Sequence, residues 1–264
     1  MSVIRLDKHT SPDVSKLGGK GANLAKLLSL GCRIPDCIAV SHDHPTEQIL
    51  TDVLPIWEEL HFQLAAVRSS ATAEDATDQS FAGMFSTYLY VSRDNILEKI
   101  ALCRQSLSLP RVADYIARMS ISKENVHVNV LVQKMIEADA SGVCFTKNPL
   151  TNDSNEIVIE AIHGQGELLV SGQVTPDYYR IAKHKNVLLE KNISTQEIIL
   201  DKKSRTIRPR EMELQHVPKI SEPMLYLLRE QAVSIENMYQ KPVDIEWAVE
   251  NGVLYILQAR PITT

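Results

Sequence analysis

The stretch Val243-Asp-Ile-Glu-Trp-Ala-Val249, followed after a short polar connection by Leu254-Tyr-Ile-Leu-Gln-Ala-Arg260, decides how the rest of the chain is read. Both segments alternate with a period of two, the pattern of strands with one buried face. Val243, Ile245, Trp247 and Val249 fall on one face, and Asp244 and Glu246 share the other. Gln258 and Arg260 likewise share a face. A hairpin closed by a two-residue Asn251-Gly252 turn would set Glu246 opposite Leu257. Gln258 and Arg260 would then project to the wrong side, because a one-residue slip inverts every side chain. The pattern therefore predicts an odd connection or a bulge, supplied most simply by a three-residue Glu250-Asn251-Gly252 loop with Gly252 at positive φ. Two carboxylates, an amide oxygen and a guanidinium then form one surface, a hard-oxygen set suited to Mg²⁺ and a triphosphate. A solvated outer face of an edge hairpin would show the same alternation, and the two readings stay open on pattern alone.

Upstream of the hairpin, Ser221-Glu222-Pro223 opens an amphipathic helix running to about Tyr239. Strands are predicted at Val126 to Met135, Ser141 to Thr146, Glu156 to Ile162 and Tyr178 to Ala182. Ile96 to Leu107 and Arg111 to Met119 read as helices, and Thr87 to Val91 as a strand. Phe62 to Val67 reads as a strand that ends at Arg68 in the polar run Ser69-Ser70-Ala71-Thr72-Ala73-Glu74-Asp75. Thr46 to His61 reads as a helix interrupted by Pro55. Cys37 to Val40 is a short buried strand, and Leu17 to Gly31 a glycine-rich loop opening a helix. Helices among short strands predict an α/β (α+β) fold of two lobes, about 1–125 and 126–264, within a single domain of 264 residues.

Composition narrows the function. At 44% hydrophobic and 23% charged residues the chain is of the globular type, with no apolar run long enough to span a bilayer. The net charge of −5 argues against duplex nucleic acid as a partner. The first residues lack the apolar segment of a secretory signal, so a cytoplasmic location is expected. Cys32, Cys37, Cys103 and Cys144 form no CxxC pair, and the eight histidines form no zinc-binding spacing.

Two further constellations concern anions. Gly18, Gly19 and Gly21 surround Lys20 at the start of a helix, where exposed N–H groups and the helix dipole favour negative charge. Ala22 follows Gly21, so this is neither a Walker A loop nor GxGxxG. Arg68, at a strand end beside several hydroxyls, suits bidentate phosphate recognition, although an ion pair with Glu74 or Asp75 would explain it equally.

These stretches together resemble the N-terminal ATP-grasp domain shared by phosphoenolpyruvate synthase, pyruvate phosphate dikinase and rifampin phosphotransferase. The matching strings are GGKGANL (18–24), AVRSSATAED (66–75), SFAGMFSTYL (80–89), VLVQKM (130–135), SGVCFTKNPLT (141–151), IEAIHGQGELLVSGQVTPDYY (159–179), DIEWAV (244–249) and LQARPI (257–262). They occur in the family's order along nearly the entire chain. The resemblance implies an ATP-grasp fold with ATP held between two lobes, Mg²⁺ as cofactor, and phosphotransferase activity. By position it implies that Lys20 and Arg68 grip the phosphates and that Gly83 to Thr87 cover them. Gln133, Lys134 and Met135 would lie beside the adenine, largely through backbone groups. Asp244, Glu246 and Gln258 would face metal and phosphate, with Glu246 and Gln258 as metal ligands. Arg260 would steady the transferring group, so that Arg68 and Arg260 are the catalytic pair.

Two departures stand out: Met84 replaces the glutamine of the family's AGQ, and Gln165 the leucine of its GLGE. None of the histidines has the setting of the family's carrier histidine. The expected partner is therefore a histidine-bearing domain or protein that receives a phosphoryl or pyrophosphoryl group. A self-contained small-molecule kinase and, less favoured, a nucleotide-binding module without turnover are the alternatives.

Overall fold

Short runs of β-branched and small apolar residues build two antiparallel sheets in the computed structural model, which describes residues 3–73, 85–118 and 126–262. Contacts divide the chain after Met135 into two units. The expected α+β class holds in each.

The first unit contains β1 (Val3–Arg5), α1 (Val14–Ser29), β2 (Cys37–Val40), α2 (Ile49–Glu59), β3 (Ala65–Ala71), β4 (Thr87–Val91), α3 (Ile96–Gln105), α4 (Pro110–Arg118) and β5 (Val128–Lys134). The strands pair in the order β1-β2-β5-β3-β4. Alternation sends Ile38, Val40, Ala65, Val67, Val130 and Val132 to one face, where α2 and α3 cover them with Val53, Trp57, Ile96 and Ile100. Each buried valine or isoleucine among them contributes about 1.5–3 kcal/mol. Helix α1 packs on β3 and β5. Its Gly21 lies over Leu131, whose neighbours in sequence belong to the opposite face, so α1 covers the second face of the sheet. Strand β5 is central in this sheet. The division after Met135 lies ten residues beyond the approximate lobe boundary at 125/126, because Val130 and Val132 of β5 belong to the first unit's core.

Two local expectations are corrected in this unit. Strand β3 does not stop at Arg68 but continues through Ser69, Ser70 and Ala71, all fully buried. The serine hydroxyls allow this because both find internal acceptors, Ser69 at the Ser86 and Cys103 carbonyls and Ser70 at the Leu17 carbonyl. The glycine-rich loop is instead a break inside α1. Gly18, at φ 69° and ψ 177°, separates one turn from the helix proper. A Cβ there would stand 2.0 Å from the Ser70 carbonyl oxygen, so only glycine fits. The Ser70 hydroxyl enters the gap: it accepts from Gly21 N at 3.1 Å and donates to Leu17 O at 2.7 Å. A continuous helix would join those two groups directly.

The second unit contains β6 (Ala140–Phe145), β7 (Glu156–His163), α5 (Glu167–Val170), β8 (Asp177–Ala182), β9 (Leu188–Asn192), β10 (Ile198–Leu200), β11 (Ile207–Pro209), α6 (Met212–Gln215), α7 (Glu222–Tyr239), β12 (Val243–Glu250) and β13 (Val253–Pro261). Six strands form a sheet in the order β13-β12-β6-β7-β8-β9, and β10 pairs with β11. Leu225, Leu228, Ala232 and Ile235 make the buried stripe of α7, which packs on β12 and β13. Val243, Ile245 and Trp247 are fully buried, as the alternation required. Strands β9, β10 and β11 were not expected. Their residues are mostly half-buried or exposed, so no hydrophobic period marks them. No helix of the described residues is long and apolar enough to cross a membrane.

Candidate functional site

The hairpin of β12 and β13 resolves the parity problem in an unforeseen place. Glu250 pairs with Val253, so the connection is the two-residue Asn251-Gly252 turn, not the expected three-residue loop. Both turn residues have positive φ (50° and 74°), the conformation whose twist matches flanking strands. From the turn, pairs run Val249↔Leu254, Ala248↔Tyr255 and Trp247↔Ile256; the register then shifts to Glu246↔Gln258 and Asp244↔Arg260. Leu257 is the extra residue, a bulge that turns Gln258 and Arg260 back to the carboxylate face. The expected surface therefore forms, with Gly252 at positive φ, although the device is a bulge in the strand.

On that face Arg260 donates from Nε (3.0 Å) and Nη2 (2.7 Å) to Asp244 Oδ2. Asp244 Oδ1 is buried and has no hydrogen-bond partner among the described residues. Burial pushes the Asp244 carboxyl up from its ordinary value, against the opposing pull of Arg260. Glu246 is half-buried, and Gln258 opposite it is nearly covered. Beside this charged end lies a small apolar patch of Ile136, Ala138, Ala248, Tyr255 and Leu257.

Sequence reading missed Glu160, although the parity of β7 held the signal. Ile157, Ile159 and Ala161 are fully buried, which leaves Glu160 on the other face. Register places it in one row with Gln258, Glu246 and Val143. Gln165, one of the departures, ties two segments together, since its amide donates to the Ile136 carbonyl at 2.6 Å. The other departure, Met84, lies outside the described residues, as does Gly83.

The remaining expected residues belong to the first unit. Lys20 is half-buried in the first turn of α1 after the Gly18 break. Arg68 is in mid-strand, paired with Leu131 on β5 and with exposed Thr87 on β4. Its Nη1 donates to Gln133 Oε1 at 3.4 Å. Gln133 is nearly covered, and its Nε2 has no partner among the described residues. The backbone N–H groups of Lys134 and Met135 are already spent on the Asp36 and Leu64 carbonyls. Those two donors are engaged within the first unit, at a paired strand edge. Arg68, Gln133 and Thr87 come together; Asp244, Glu246, Gln258 and Arg260 come together on the second unit.

A family model described as the pyruvate phosphate dikinase AMP/ATP-binding domain matches residues 46–264. The chain belongs to this family. A phosphoenolpyruvate synthase of Pyrococcus furiosus is 38% identical over 258 residues, covering 91% of this chain and 32% of that protein. A probable phosphoenolpyruvate synthase of Archaeoglobus fulgidus is 42% identical over 204 residues, covering 75% of this chain and 27% of that protein. An uncharacterized phosphotransferase of Bacillus subtilis, YvkC, is 30% identical over 279 residues, covering 94% of this chain and 33% of that protein. The chain spans about a third or less of the length of these relatives.

Proposed function

We propose that the chain binds Mg-ATP in the ATP-grasp manner and passes a phosphoryl or pyrophosphoryl group to a histidine on a separate domain or partner protein. The observation that carries this reading is the Leu257 bulge, which assembles Asp244, Glu246, Gln258 and Arg260 on one face. The donor set fits a magnesium ion. It consists of hard oxygens, and among the described residues the buried Asp244 Oδ1 lacks a partner, which a cation or its water would supply. Glu246 and Gln258 would hold the metal, and bound Mg²⁺ would neutralise charge on the phosphate oxygens. Lys20 and Arg68 grip the phosphates, with Thr87 beside Arg68. Gln133, Lys134 and Met135 flank the nucleobase through side chains and carbonyls rather than the spent N–H groups. Arg260, oriented by Asp244, steadies the group in transfer. Positioning and fixed charge are most of what phosphoryl transfer asks of a protein.

The test uses ATP labelled at the β or the γ position, with and without an added histidine-carrying domain of the phosphoenolpyruvate synthase type. Label on that domain's histidine supports the proposal, and the labelled position distinguishes phosphoryl from pyrophosphoryl transfer. Folded protein that binds no nucleotide in the presence of Mg²⁺ would overturn it.

A further inference from the structure

We propose that Glu160 is a further positioning residue of the second unit's metal surface, accepting hydrogen bonds from water that Mg²⁺ retains when held by Glu246 and Gln258. The inference rests on the metal reading above and deepens it. Its basis is register. Gln258, Glu246, Val143 and Glu160 occupy successive strands in one row of the same face. At about 4.8 Å per strand, the Glu246 and Glu160 backbones lie about 10 Å apart with both side chains on the same side. A metal on Glu246 places its own water about 2.1 Å further on, and a hydrogen bond adds about 2.7 Å. Two glutamate side chains facing across the intervening Val143 span the remainder. A cluster of Asp244, Glu246 and Glu160 on one ion is not what the geometry offers: among the described residues no group of three His, Cys, Asp or Glu side chains is close enough to hold one ion.

Glu160 also needs such a partner. It is half-buried in mid-sheet, burial raises its carboxyl above the ordinary value, and no cation or hydrogen bond among the described residues offsets this. Three neighbouring acids on this face have cationic partners. Arg260 holds Asp244, and Arg180 bridges Glu156 and Glu190. A carboxylate left uncompensated on the surface that presents the metal ligands is placed to serve the ion's hydration shell, since Mg²⁺ gives up its waters reluctantly.

The experiment measures ATP binding by calorimetry across a Mg²⁺ titration, for wild type and Glu160→Gln, with thermal unfolding without ligand as the folding control. Outer-shell partners set metal affinity by about 10–100-fold, so Glu160→Gln should raise the Mg²⁺ requirement at least tenfold. Its unliganded unfolding midpoint should be no lower than that of wild type, because a lone buried charge has been removed. Glu160→Asp, which keeps the charge, should stay within about threefold of wild type in Mg²⁺ requirement. If wild type binds Mg-ATP and Glu160→Gln follows the same Mg²⁺ curve within twofold, the inference fails alone. If wild type binds no Mg-ATP, the reading of the site fails and this inference with it.

Discussion

Replacing Ser70 by alanine removes one buried hydroxyl that holds two backbone groups. Gly21 N–H donates to it and Leu17 C=O accepts from it, and Ser70 itself is fully covered. Neither backbone group can turn to water. Each buried group left without a partner costs about 1–3 kcal/mol, so the loss would be about 2–4 kcal/mol after partial relaxation. Direct re-formation of a Gly21-to-Leu17 helical bond would cancel most of it, but the break at Gly18 opposes that closure. Its φ of 69° and its contact with the Ser70 backbone, which alanine retains, both keep the helix open. For a chain of this size about 2–4 °C of midpoint accompanies each kcal/mol, so a fall of roughly 5–15 °C is expected. Urea unfolding followed by tryptophan emission and far-ultraviolet dichroism measures it, Trp57 reporting on the first unit's core. A change below about 0.5 kcal/mol would refute the reasoning, because it would mean that the helix closes over the gap unaided.

Arg260→Lys, which keeps a cation beside the buried Asp244 but loses the bidentate fork, and Glu246→Gln should each reduce transfer of label from ATP by at least about a hundredfold while shifting urea midpoints little, since both side chains stand on the half-exposed face. Equal losses of stability and transfer would instead assign them a structural role. Lys219→Met should destabilise by about 3–5 kcal/mol, because it strands the fully buried Asp177 carboxylate that Lys219 Nζ meets at 2.7 Å. The double variant with Asp177→Asn should recover part of that loss in the same denaturation series. Burial, reinforced by Arg210 and Lys219, holds His163 down at about 4, from an ordinary 6.5. The unfolded chain then binds the extra proton first, so this contribution to stability is full above pH 6.5 and is lost as pH falls toward 4. The difference in stability between wild type and His163→Gln should drift by up to about 3 kcal/mol across that window, and a flat difference would show that His163 titrates normally.

What was legible in the sequence had a strong period. The buried stripe of α7 at Leu225, Leu228, Ala232 and Ile235 and the alternation in β12 both emerged where expected, because a single buried face writes itself as spacing. The charged face of the hairpin was legible too, and a bulge was one of its two expected causes, but the place of the bulge was not legible. A bulge is one residue of irregularity, and Leu257 looks like any other apolar position in a strand. Ser69 and Ser70 misled in the opposite way. Their type suggests a loop, yet hydroxyls with internal acceptors are accepted in a buried strand, and those acceptors lie on distant segments of chain. Gly18 carried the right message, an open backbone, attached to the wrong element: the partner that fills the space is Ser70, far along the chain. Glu160 was overlooked because the apolar residues around it dominate the reading of β7.

The position of the bulge also says where this domain tolerates added sequence. The orientation of Gln258 and Arg260 is decided at Leu257, between the turn and the charged end of the hairpin, and not at Asn251-Gly252. The turn is therefore released from keeping parity. A peptide tag, a dye-bearing loop or a protease site of odd or even length could be spliced in there, provided that Glu250 and Val253 still pair. The splice would put at risk the bond from Asn251 N–H to Asp139 Oδ2 and the neighbouring one from Glu137 N–H to Glu250 Oε1. One residue removed at Leu257 has no such freedom, because it would swap the outward and inward sets of an entire strand end. Length variation in this hairpin should thus be harmless at its tip and intolerable halfway down one side.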